Sequence, residues 1–220
     1  MSELLTTKTA FEIGRKLFPI LRNARIRQQE KRLEEFARCV DLRYEYMSPE
    51  DQAGLQNFIE SDIGQEKIEK YTQVILESSS QRILMATALL YCQDKELNFN
   101  QEEITAFVRG VSSITDETLD LFTPLASATL TDDEYVYARV TLTNKNYEEE
   151  IGSHVSIETL YFSINDLIRR GLLLPDPSPG GFNSTKDDWA ISYGVSSFTH
   201  RVAYLLNKAS MMLERIDDKT

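Results

Sequence analysis

Histidine, cysteine and tryptophan are scarce in this 220-residue chain, which has two His, two Cys and one Trp. His154 and His200 have no metal-ligand partner at helical or turn spacing, so no zinc site is expected. Cys39 and Cys92 allow one disulfide at most and sit in no metal or redox motif, a usage that suits a reducing cytoplasm. No histidine is close in sequence to activate either thiol, so both read as core residues. Six Pro and nine Gly are too few for a collagenous or low-complexity chain. The longest largely apolar run, Ile83 to Cys92, is about half of what a bilayer crossing requires. The start, MSELLTTKTAFEIGRKLF, has neither an uninterrupted apolar stretch nor a small-residue cleavage site, so no signal peptide is expected. The one Gly-Gly pair, Gly180-Gly181, follows Pro179 with no Lys-Ser/Thr after it, which excludes a phosphate loop and a dinucleotide fingerprint. No cofactor is expected.

What is present is an ordinary globular composition, 41% hydrophobic and 27% charged, enough for one sizeable core or two small ones. The net charge of −11 is unevenly placed: residues 1–43 carry +4, residues 44–160 carry −15, and residues 161–220 carry zero. An acidic middle repels nucleic acid and anionic lipid and confines any contact with them to the basic arm or the C-terminal unit. The arm concentrates Arg15, Lys16, Arg22, Arg25, Arg27, Lys31 and Arg32 within eighteen residues. It is expected to dock on the acidic body of its own chain. The carboxylate runs Asp132-Asp133-Glu134 and Glu148-Glu149-Glu150 read as solvated faces before they read as cation sites.

Helical periodicity dominates the first 128 residues. A helix is expected from Pro19, suited to a first turn, to Tyr44, with its apolar stripe on Ile26, Leu33, Ala37, Val40 and Tyr44. Upstream, Phe11, Ile13, Leu17, Phe18, Ile20 and Leu21 alternate with Arg15, Lys16 and Arg22 as a basic amphipathic stretch. Ser48-Pro49 starts the next helix, and Ile68, Tyr71, Ile75, Ile83, Ala86 and Leu90 mark a buried central one, bent near Ser78–Ser80. Asn100 and Glu103 form a capping box, and a further helix covers Asp116 to Ala128. For Tyr135 to Thr143 helix and strand remain open, since a capping box precedes β-branched and aromatic residues. Ile157, Leu160, Tyr161, Ile164, Leu167 and Ile168 then give a helix stopped by Gly171. Short strands at Leu172–Leu174 and Trp189–Tyr193 flank a Pro/Gly-rich loop, and a last helix follows Gly194. The fold class expected is mainly α, a helical bundle over residues 1–128 followed by a unit with a short β-hairpin over 129–220.

The run Leu167-Ile168-Arg169-Arg170-Gly171-Leu172-Leu173, followed by Trp189-Ala190-Ile191-Ser192-Tyr193-Gly194-Val195-Ser196-Ser197-Phe198, resembles the end of bacterial winged-helix domains over about 45 residues. It departs from them where Ile191-Ser192 and Tyr193-Gly194 replace the usual Leu-Thr and a later Gly. The whole order, a basic first helix, several helices and this C-terminal unit, resembles the abortive-infection alpha-type proteins of bacteria and mobile elements. That resemblance is one of architecture, implies a link to phage defence, and carries over no catalytic residue.

A winged helix that reads DNA needs a basic reading face and wing. Here Arg169, Arg170 and Lys186 are offset by Glu158, Asp166, Asp187 and Asp188, which argues against DNA. The reading drawn from the sequence is a non-enzymatic cytoplasmic protein acting through a protein partner. A DNA-binding regulator comes second and a membrane-surface effector third. The candidate contact residues are Arg15, Lys16, Arg22, Arg25, Arg27, Arg32, Arg169, Arg170 and Lys186.

Overall fold

The computed structural model describes residues 3–131, 135–152, 155–178 and 188–217, with backbone only for 3–21 and 216–217. It is mainly helical. The elements are α1 (Glu3–Glu45), α2 (Pro49–Glu60), α3 (Asp62–Glu77), α4 (Gln81–Tyr91), α5 (Gln101–Val111), α6 (Asp116–Ser127), β1 (Ala138–Thr143), α7 (Tyr147–Glu150), α8 (Ile157–Arg170), β2 (Ala190–Val195) and α9 (Ser197–Asp217).

Local chemistry accounts for most helix boundaries. Ser48, Ser61, Ser80, Asn100, Thr115 and Ser156 each accept a backbone N–H of the first turn that the helix itself leaves unpaired. Pro49 opens α2, and the Asn100–Glu103 capping box opens α5. Gly171, at φ 76°, closes α8, with the N–H of Leu172 donating to the Leu167 carbonyl at 3.0 Å and that of Gly171 to Ile168 at 2.9 Å. The segment expected to run from Ile68 to Cys92 is two helices. Ser78 and Ser80 end α3 and start α4, and the Ser80 hydroxyl also donates to Asp116 at 2.5 Å.

α1 departs from expectation in two ways. It continues through Pro19, because a proline deletes a single backbone bond and strong helix formers on both sides carry the rest. Its packed face is also different. Phe36 and Cys39 are buried, Arg32, Glu35, Val40 and Arg43 are half-buried, and Ile26, Leu33 and Ala37 face outward. The charged side chains on the packed face pair as they go under: Arg32 with Glu35 at 2.6 Å and Arg43 with Asp94 at 3.0 Å. Nor does the described part of the arm dock on the acidic body, since every side chain from Arg22 to Gln28 is exposed.

α4 is the centre of the core, with Ile83 through Tyr91 all buried. α1, α3 and α9 pack around it, and α9 also lies on α6. A single cluster of buried side chains runs from Phe36 to Met212 and spans residue 128. The sheet also differs from expectation. β1 pairs antiparallel with β2, Val140 opposite Tyr193 and Leu142 opposite Ile191, so Tyr135–Thr143 resolves as strand from Ala138. Of Leu172–Leu174 only Leu174 pairs, in one antiparallel bridge to Gly194, because Leu172 and Leu173 are taken up closing α8. Arg139 fixes this region with a two-pronged contact to Asp176 at 2.7 and 2.9 Å. Trp189 is buried edge-on against Tyr147 and Tyr161.

Candidate functional site

The end of α1, α2, the turn after α4 and the outer face of α9 enclose a cleft of about 960 Å³. Its floor is built on Asp94, whose side chain is 1% exposed. Three features hold it there. Gln93, at φ 54°, turns the chain back on α4, so that the Asp94 N–H donates to the Leu89 carbonyl at 3.2 Å. The Asp94 carboxylate then accepts the Glu96 N–H at 3.1 Å and the Lys208 ammonium at 2.8 Å through Oδ1. Its Oδ2 lies 3.0 Å from Arg43. One buried carboxylate therefore links α1 to α9 through two cations.

Most of the rim charges are paired, with Glu50 exposed at the edge. Lys208 also donates to Glu96 at 2.6 Å, Tyr204 donates to Glu96 at 3.3 Å, and Lys95 meets Asp51 at 2.6 Å. Hydrogen bonding by Lys208 holds the Glu96 carboxyl below its ordinary value, and hydrogen bonding by Lys95 does the same for Asp51. Burial alone would lower the Lys208 ammonium, but its bonds to Asp94 and Glu96 outweigh that and hold it above the ordinary lysine value. Arg215 stacks its guanidinium 5.4 Å from the centre of the Tyr46 ring.

With most of the charges paired off, the walls offer thioethers and rings. Met211 is 58% exposed, Tyr204 and Tyr46 are exposed, and Met47 and Met212 lie deeper. In the α2 wall stands Gly54, where an added Cβ would meet nothing within 4 Å. A glycine in mid-helix costs about 0.5–1 kcal/mol relative to alanine, and no neighbour in the fold requires this one.

The shifts resolved among the described residues move groups away from neutral pH, with one exception. Burial pushes the Cys39 thiol up to about 11 and the Cys92 thiol, in the cleft wall, up to about 12. The carboxylates that move go down, and Lys95 and Lys208 go up. Lys67 is the exception. Burial lowers it, and it is tied to the Leu90 carbonyl at 2.9 Å and over the Phe58 ring. No cluster of three metal-ligating side chains occurs among the described residues. No described helix is long and apolar enough to cross a membrane.

The candidates named from charge do not converge on the cleft. Arg22, Arg25 and Arg27 stand exposed on the free part of α1, and Arg32 is paired to Glu35. Arg169 is exposed and paired to Asp166 at 2.5 Å. Arg170 meets Asp166 at 2.6 Å and donates to the Ser112 and Gly110 carbonyls at 2.7 and 3.3 Å, capping the end of α5. The side chains of Arg15 and Lys16, like Lys186, His154 and the run 132–134, lie outside the described residues. Sequence reasoning missed Asp94, Lys208, Tyr204 and Met211. The four-residue spacing of Tyr204 and Lys208 is a signal, but Gln93-Asp94-Lys95-Glu96 reads as an exposed turn. No family model, curated protein or solved structure matches the chain.

Proposed function

We propose that the protein is a non-enzymatic cytoplasmic interaction protein that holds an apolar-faced segment of a protein partner in the cleft between α2 and α9. The observation that carries this reading is the pairing of exposed Met211, Tyr204 and Tyr46 with a rim whose charges are mostly paired. Flexible thioethers and two-torsion aromatics suit a surface that closes on another chain, and paired rim charges lose little on desolvation. Gly54 lets a partner backbone approach the α2 wall without meeting a side chain.

The C-terminal unit is read here as a winged-helix-like module used for protein contact. The antiparallel bridge of Leu174 to Gly194 sets the chain after α8 beside β2, which supports that reading. The outer face of α8 presents Phe162, 76% exposed, on the same helix as an Arg169 that shares Asp166 with Arg170, and the exposed ring favours a protein over a phosphate backbone. A role in phage defence follows only from the architectural resemblance, and a genomic neighbourhood of metabolic genes would remove it.

The test is a paired capture. Met211→Asp should abolish retention of a partner that the wild-type chain retains, while Ile63→Asp, at an exposed position outside the cleft, should keep it. Loss in both variants, or in neither, defeats the reading.

A further inference from the structure

α1 is longer than the body it packs on. Its 43 residues make a rod of about 64 Å, and the first buried side chain among its described ones is Phe36. About a third of a turn round from Phe36 and Cys39 runs an outward stripe of Ile26, 41% exposed, Leu33, 48% exposed, and Ala37. Spacings of seven and four residues keep these on one face.

The charge beside this stripe is segregated along the helix. Arg22, Arg25 and Arg27 are exposed and have no acidic partner among the described residues. Towards the other end, Glu30, Glu34, Asp41 and Glu45 are exposed with no cationic partner among the described residues, against the exposed cations Arg38 and Lys31, the latter 3.7 Å from Glu35. The same rod thus has a basic stretch around Ile26 and a more acidic stretch around Leu33 and Ala37.

We propose that the stripe is covered by a second copy of this chain, the two α1 helices running antiparallel about a two-fold axis near Leu33. Antiparallel pairing sets the basic stretch of each helix against the more acidic stretch of the other, for example Arg25 opposite Asp41. Parallel pairing would set like against like. The two-fold arrangement closes on itself and so stops at a dimer. It also places the two bodies, each fixed to the second half of its own α1, at opposite ends of the paired rods. The free part of each α1 then runs beside the partner's body.

The full chain tests this by sedimentation velocity and light scattering. The wild type should have twice the 25.3 kDa chain mass. Leu33→Asp should raise the dissociation constant at least about tenfold and give the single-chain mass, with the circular dichroism spectrum unchanged because the side chain lies outside the core. Added salt should weaken the dimer. In mixtures of singly substituted chains, Arg22→Cys should form a disulfide with Glu45→Cys and not with itself. A monomeric wild type, a dimer that survives Leu33→Asp, or cross-links between like positions only would each overturn the proposal. So would a monomer that sediments with vesicles of anionic phospholipid, which would assign the basic stretch to a membrane surface.

Discussion

Asp94→Asn should be among the most costly isosteric changes in the molecule. The amide keeps the shape of the carboxylate but removes the charge shared by Lys208, at 2.8 Å, and Arg43, at 3.0 Å. A hydrogen bond to a charged group contributes about 1.5–3 kcal/mol, and here one such bond, from Lys208, and one ion pair, to Arg43, are weakened at once. Against that, Lys208 keeps Glu96, and both cations retain some contact with water. The net loss expected is about 2–4 kcal/mol. At about 3 kcal/mol the Tm of a chain of this size falls by about 6–12 °C. Urea unfolding at neutral pH measures it, with Asp120→Asn as the comparison. Asp120 meets Arg82 at the exposed surface, and its loss should cost under about 1 kcal/mol. A double-mutant cycle of Asp94→Asn with Arg43→Met should then show positive coupling. A cost for Asp94→Asn within about 0.5 kcal/mol, or no coupling, would refute the view that one buried carboxylate joins α1 to α9.

Two glycines should respond in opposite senses. Gly64→Ala places a Cβ 1.9 Å from the Phe58 carbonyl oxygen and should destabilise by about 2–3 kcal/mol, whereas Gly54→Ala enters open space and should stabilise by about 0.5–1 kcal/mol; urea midpoints decide both. Trp189 should emit at the short wavelength of a buried indole and shift red on unfolding, and native emission like that of hydrated indole would contradict its packing. Cys39 and Cys92, with thiols raised to about 11 and about 12, should resist a thiol reagent until the chain unfolds. Hydrogen bonding by Arg139 holds the Asp176 carboxyl below its unfolded value, so that pair contributes stability above about pH 3.9, lost as the pH falls through the folded value. Arg139→Met should flatten that part of the urea-midpoint-against-pH profile.

The legible parts of the fold were those decided within a turn of the chain. Ser48-Pro49, Asn100–Glu103 and Gly171 act on backbone groups three or four residues away, so their neighbours in sequence are their neighbours in space. The facing of α1 was not legible. Ile26, Leu33 and Ala37 make the better apolar stripe, yet the packed side includes Arg32, Glu35 and Arg43, which bury their stems because partners neutralise their heads. The pairing of β1 with β2 joins residues some fifty positions apart, and nothing local in Tyr135–Thr143 names its partner. The cleft was hidden for the same reason. Asp94 and Lys208 stand 114 positions apart, and each alone looks like solvent-facing charge.

The packing of α9 over α4 also sets an order of events during synthesis. α4 leaves the ribosome with nine consecutive residues destined for burial, and the helix that covers it begins at Ser197, about a hundred residues later. At about 5–20 residues per second that interval is about 5–20 s, in which the most apolar segment of the chain has only α1 and α3 as cover. The nascent chain therefore depends on its early helices, or on a chaperone, to shield α4 until α9 arrives. Substitutions that weaken α1 against α4 should show first as aggregation during expression, before they show as lost stability in the finished protein.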